Sequence, residues 1–148
     1  MKIGGAGDGV NSPLGDAVGA TTVANIAALD LNGYTLSTTE PLSLAGLGYG
    51  PGTSVAAGNS NMGALMNSVN TPVSYSGTIT LTAAARINAD YGALTISSAI
   101  NSAAIGLTVG GFSDITISGV IALTTGALTK DGIGNFIASG NKIGRAHV

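Results

Sequence analysis

The chain of 148 residues has no cysteine and no tryptophan, and only 4% of it is aromatic. The first absence excludes disulfides and thiolate metal sites. The second argues against a globular core built on large anchors, and favours small side chains packed in thin layers. Charged residues make up 8%, against about a quarter in an ordinary domain. The five Lys and Arg are scattered singly, which leaves no basic stripe to follow a phosphate backbone, so nucleic acid is not an expected partner. No apolar run approaches the roughly 20 residues that span a bilayer, and Met1–Gly5 lacks the apolar segment of an export signal. No membrane contact by this segment is expected. His147 is the only histidine, so no histidine triad, general base or His metal pair can be assembled.

What is present is a train of short alternations. With 45% hydrophobic residues and few charges, the composition belongs to ordered rather than disordered chains despite 24 glycines. In Gly77–Ala83, Ile79 and Leu81 fall on one face and Thr78, Thr80 and Thr82 on the other, because successive strand residues point to opposite sides. The beat returns at Leu94–Ile96, Leu107–Val109 and Ile115–Ile117. Upstream, Ala28–Leu31, Tyr34–Ser37 and Leu42–Leu44 read as three strands, with Asn32-Gly33 as a tight turn and Pro41 between strands. Met1–Gly19 reads as turn material. Residues 47–71 are dense in Gly, Pro and Asn and read as a loop excursion that re-enters near Ala64–Asn67. Ala83–Ala89 has some helical propensity, but Ile79, Leu81 and Ile87 keep strand spacing.

Gly92–Thr95 recurs as Gly126–Thr129, and Thr78–Leu81 resembles Asp114–Ile117. These offsets are uneven, which excludes an array of fixed period. The expected fold is all-β, a right-handed parallel β-helix (solenoid) of about six turns with roughly 20 residues each, its strands lining an apolar bore. The alternative is a β-sandwich, which normally takes longer strands and larger core residues.

Leu128, Thr129, Lys130, Gly132, Gly134, Ser139 and Gly140 match the pattern L-T-K-x-G-x-G-T-L-x-L-S-G-x-N, while Asn135–Ala138 depart from its T-L-x-L. On these residues the chain resembles the autotransporter-associated β-strand repeat, a passenger-domain motif of bacterial exported and surface-anchored proteins. The resemblance extends over most of Thr22–Asn141. It implies a structural stalk segment, extracellular or at the bacterial cell surface, with no chemistry and no cofactor of its own. Its partners would be the neighbouring β-helix turns of a longer protein, and host or environmental glycans. Residues 1–141 then form a single β-helix fragment. The segment IGRAHV, with the preceding Lys142, back-translates to the start of a common sequencing-library adapter, so residues 142–148 are expected to be an artefactual tail.

Two other functional classes are open to a β-helix. A carbohydrate-active enzyme would use clustered acids or bases on one face. The candidates here are Asp30, Asp90, Asp114, Arg86 and Lys130-Asp131, which stand isolated in the sequence and mostly at strand ends, where Asp caps turns. A glycan- or ice-binding solenoid would use the Thr78, Thr80, Thr82 row or the tyrosines Tyr34, Tyr49, Tyr75 and Tyr91, read more simply as β-propensity and as edge cover for the bore. Gly4–Asp8 resembles a calcium-binding G-G-x-G-x-D repeat, but Asp8 comes one position early and no second copy completes a cage. No metal site is expected.

Overall fold

A computed structural model describes residues 1–49 and 63–147. In chain order the strands are β1 (Asn11–Ser12), β2 (Gly15–Asp16), β3 (Thr21–Val23), β4 (Leu29–Asp30), β5 (Leu42–Gly46), β6 (Leu65–Asn67), β7 (Val73–Tyr75), β8 (Ile79–Ala89), β9 (Leu94–Ile96), β10 (Ile100–Asn101), β11 (Leu107–Gly111), β12 (Ile115–Ile117), β13 (Ile121–Lys130), β14 (Phe136–Ala138) and β15 (Lys142–His147). Apart from the β1–β2 hairpin, every strand pairing among the described residues is parallel, which excludes the sandwich. The chain is a parallel β-helix of about five coils.

Each coil has three legs. The first leg stacks β3, β5, the start of β8, β10 and the start of β13. The second stacks β4, β6, the end of β8, β11 and the end of β13. The third stacks β7, β9, β12 and β14. Ala83–Ala89 is strand, as its spacing predicts, because Ala85 and Ile87 turn inward to the bore while hydrogen-bonding rungs lie on both sides.

The uneven offsets expected from the sequence persist in part: the second leg steps by 22 from Leu65 to Ile87 and from Ala85 to Leu107, and the first by 37 from Leu42 to Ile79. Elsewhere a 21-residue step recurs. Val73 lies opposite Leu94, Leu94 opposite Ile115 and Ile115 opposite Phe136, each 21 residues on. Ile79, Ile100 and Ile121 follow the same step. The internal similarities visible in the sequence are therefore out of register: Leu94 stacks on Ile115, and Leu128 on Leu107. What repeats is a pattern of inward apolar positions, and different β-branched and aliphatic side chains satisfy it equally well.

The bore is filled by one column per inward position. Ile79, Ile100 and Ile121 are at most 2% exposed, and Leu94, Ile96, Ile115 and Ile117 at most 1%. Burying one such side chain contributes roughly 1.5–3 kcal/mol. Since each coil covers only its neighbours, this stabilisation is shared rung to rung.

The excursion is narrower than 47–71. Leu44 to Leu65 spans 21 residues where the equivalent step one coil earlier, Val23 to Leu29, spans 6. The extra chain thus enters between β5 and β6, and Ala64–Asn67 is back in the stack with Leu65 fully buried; residues 50–62 lie outside the described ones. Tyr34–Ser37 is not strand. Asn32 (φ 49°) and Gly33 (φ 80°) form a two-residue turn closed by Tyr34 N–H donating to Leu31 O at 2.8 Å. Both positive φ values match a hairpin-type turn, yet here it makes a corner between legs.

Met1–Gly19 is more ordered than turn material. Lys2 bridges to Asp30 in parallel, Ile3 is 3% exposed, and the β1–β2 hairpin packs Leu14 against the N-terminal end of the bore. At the other end β15 pairs in parallel with β13 and starts on the same 21-residue step, but its apolar pattern is inverted. Lys142 occupies the column of Ile79, Ile100 and Ile121, while Ile143 is 56% exposed.

Candidate functional site

The motif residues Leu128, Thr129, Lys130, Gly132, Gly134, Ser139 and Gly140 serve the stacking of coils. Leu128 points into the bore. Thr129 is on the outward face beside Thr108, and Lys130 donates from Nζ to Gly132 O at 2.7 Å. Gly132, at φ 71°, lies over the backbone of Gly111; a Cβ on Gly134 would strike Ser113 O, and one on Gly140 would strike Gly119 O. Ser139 N–H donates to Ile117 O at 3.1 Å. Each of these corners presses one coil onto the next.

The fold gathers acids and bases that are scattered along the chain. Arg86 and Asn88 lie on the outward side of β8, yet they are 4% and 0% exposed. Arg86 Nη1 donates to Asp131 Oδ2 at 2.5 Å and Nη2 to Asn88 Oδ1 at 3.0 Å, while Asn88 Nδ2 donates to Asp90 Oδ1. Asp131 is two coils above Arg86. The pair meets across Gly110 of the intervening coil, where a Cβ would come 2.7 Å from Arg86 Nη2 and still closer to Asp131 Oδ1. A pair of this kind is strong only with well-satisfied geometry; here Arg86 and Asn88 bridge the two carboxylates, and Asp131 Oδ1 is left without a hydrogen-bond partner.

Of the candidate residues, Arg86, Asp90 and Asp131 therefore converge, while Lys130 turns to Gly132 O instead. The sequence reading held them isolated because the 45 positions between Arg86 and Asp131 become two rungs in space. Asp90 is fully buried. Buried to that degree and bonded to the neighbouring Asn88, this carboxylate is not presented to a polymer as a general acid or base would be.

Asp30 and Asp114 lie elsewhere. Asp30 Oδ1 accepts from Asn32 N–H at 2.9 Å and Ser68 N–H at 3.1 Å, Oδ2 accepts from Ser68 Oγ at 2.6 Å, and Lys2 Nζ is 3.7 Å away. This carboxylate edges a cleft of about 470 Å³ that Ile26, Tyr49 and Met66 also line. Asp114 Oδ1 accepts from Asn135 N–H at 2.9 Å and its Nδ2 at 3.1 Å. Asp8 caps its own loop, and hydrogen bonds from the backbones of Asn11 and Val10 hold its carboxyl below the usual range. Among the described residues no three His, Asp or Glu side chains converge as metal ligands would.

Sequence reasoning missed a further buried carboxylate. Glu40, 1% exposed, accepts from Ser12 Oγ at 3.0 Å and Thr21 Oγ1 at 2.9 Å, tying the N-terminal hairpin to the first two coils. Tyr75 is not edge cover: it is 1% exposed, and its hydroxyl donates to Glu40 O at 2.7 Å. Burial, and then the nearby Glu40 charge, push its pKa well above the ordinary tyrosine value of 10.0. Because the folded pKa is raised, this contribution is fully present below pH 10 and is lost as pH rises beyond it. Tyr75→Phe is expected to cost about 1 kcal/mol at neutral pH and to flatten the loss of stability between pH 10 and 12. Urea midpoints measured across that range check it, and equal alkaline slopes for both proteins would overturn it.

No family model, curated protein or solved structure matches this chain.

Proposed function

We propose that the chain is a stalk segment of an exported or surface-anchored bacterial protein, a spacer that holds another part of its parent away from the cell. The observation that carries this reading is the in-register repetition of 21-residue coils. Such a stack adds about 4.8 Å of length per coil, and its side chains go into holding that length. The buried polar groups support it too, since Arg86–Asp131, Asp30–Ser68 and Glu40–Thr21 each link different coils. The resemblance of Leu128–Gly140 to the autotransporter-associated repeat supplies the exported, bacterial part of the reading. A lysine in the apolar column at 142 and an exposed Ile143 support treating residues 142–148 as foreign to the rod, although β15 pairs in parallel along β13.

Sequencing the coding region on both sides tests this. An export leader upstream and an outer-membrane barrel or surface anchor downstream are the expected result. A self-contained frame with neither, ending near residue 141, would overturn it.

A further inference from the structure

Counted back from the third leg, the 21-residue step puts one large apolar side chain per coil at the corner between the second and third legs. In the coil of Tyr91 that corner holds one residue more, because Ala89 pairs with Gly111 at a step of 22. Tyr91, Phe112 and Ile133 each stand three residues before the stacked residues Leu94, Ile115 and Phe136. They are 57%, 40% and 75% exposed. The glycines beside them keep the corner tight: Gly111 lies against Ala89, and Gly132 against Gly111. Next to this stripe run Asp114 and Asn135, also one coil apart, exposed and hydrogen-bonded to each other. One coil lower the column continues as exposed Asn70.

We propose that this corner binds a neutral, linear, equatorially linked glycan lying along the rod axis. The rungs repeat at about 4.8 Å, close to the advance of one sugar ring in an extended β-1,4-linked chain, so successive rings can meet successive coils. Such rings present flat C–H faces that pack on Tyr91, Phe112 and Ile133, and edge hydroxyls that Asp114, Asn135 and Asn70 can accept from or donate to. The carboxylate of Asp114 and the net charge of −2 disfavour an anionic polymer. A second copy of the chain is a poorer occupant, because three side chains in one column fall far short of the about 800 Å² per partner in a stable interface. This inference is independent of the stalk reading, since a rod with any cargo would carry the same stripe.

The test titrates β-1,4-linked hexamers of glucose and of N-acetylglucosamine into the full chain, with affinity read by calorimetry and location by amide and ring NMR shifts. The expected result is saturable binding of at least one hexamer, with shifts confined to the stripe and to Asn135, and much weaker binding of the corresponding dimer. Tyr91→Ala and Phe112→Ala should each weaken binding about tenfold without moving the thermal midpoint, while Val18→Ala, at a 93% exposed position near the N-terminal hairpin, should leave it unchanged. No saturable binding of either hexamer at millimolar ligand, or binding that survives the Tyr91→Ala/Phe112→Ala double variant, would overturn the proposal. So would concentration-dependent dimerisation abolished by the same double variant, which assigns the stripe to a second copy.

Discussion

Deletion of the 21 residues Leu94–Asp114 is expected to leave a folded β-helix, whereas deletion of only the 11 residues Leu94–Ala104 is expected to unfold it. The larger cut removes one whole coil. Ala93 then joins Ile115, so that Val73 meets Ile115, Ile79 meets Ile121 and Ala85 meets Leu128, and each junction repeats a pairing the rod already uses. The corner fits too, because Gly132 can sit over Ala89 as Gly111 does now. In a quasi-one-dimensional stack this costs one coil and its interface while the rest persists. The smaller cut removes the third leg of one coil and the start of the next, so the chain leaves the corner after Ala93 with no path that closes the bore. It also deletes Leu94, Ile96 and Ile100, all at 0% exposure, and opening a bore at such positions costs about 2–5 kcal/mol each. Circular dichroism and urea unfolding decide the matter. The whole-coil variant should keep the β signal with a smaller denaturant slope, in proportion to the surface it no longer buries. An unfolded whole-coil variant, or a half-coil variant of equal stability, would sink the account of coils as interchangeable units.

The alternation of Ile79, Leu81 and Ile87, and of Leu94 with Ile96, is enough to read strands and a β-helix, because a period of two survives any choice of aliphatic side chain. The coil length was not legible in the same way. Ile79, Ile100 and Ile121 sit in one column, but their outward neighbours Thr80, Asn101 and Ala122 share no identity, so matched tetrapeptides such as Gly92–Thr95 and Gly126–Thr129 draw the eye to the wrong offset. The tight turn at Asn32-Gly33 was legible as a turn and misleading as a hairpin, since φ values fix the local reversal but not which leg comes next. The stripe of Tyr91, Phe112 and Ile133 becomes visible only once the 21-residue step is known. The same holds for the clamp at Arg86: a charge pair across two coils has no local sequence signal beyond the small residue, Gly110, that lets the side chains meet.

Arg86→Ala is expected to destabilise the protein by about 3 kcal/mol, the low end of what breaking a buried ion pair costs, and to lower the thermal midpoint by about 10 °C for a chain of this size. The guanidinium is 4% exposed and reaches both Asp131 and Asn88, whereas the Asp131 side chain is 30% exposed. Truncation removes the donor from Asp131 Oδ2, and Oδ1 of the same carboxylate is already buried without a hydrogen-bond partner. The cost is thus dominated by a carboxylate that loses its partner rather than by lost contact area. That origin makes a second measurement decisive. If the penalty comes from the stranded carboxylate, Asp131→Leu combined with Arg86→Met should recover at least half of it, because an apolar pair of similar volume needs no solvation. If it comes instead from packing along β8, the double variant will be no more stable than Arg86→Ala. Wild type, Arg86→Met, Asp131→Leu and their double variant, fitted to one thermodynamic cycle from urea midpoints, separate the two, and a coupling below about 0.5 kcal/mol would show that Arg86 and Asp131 merely lie near each other and do not fasten the coils.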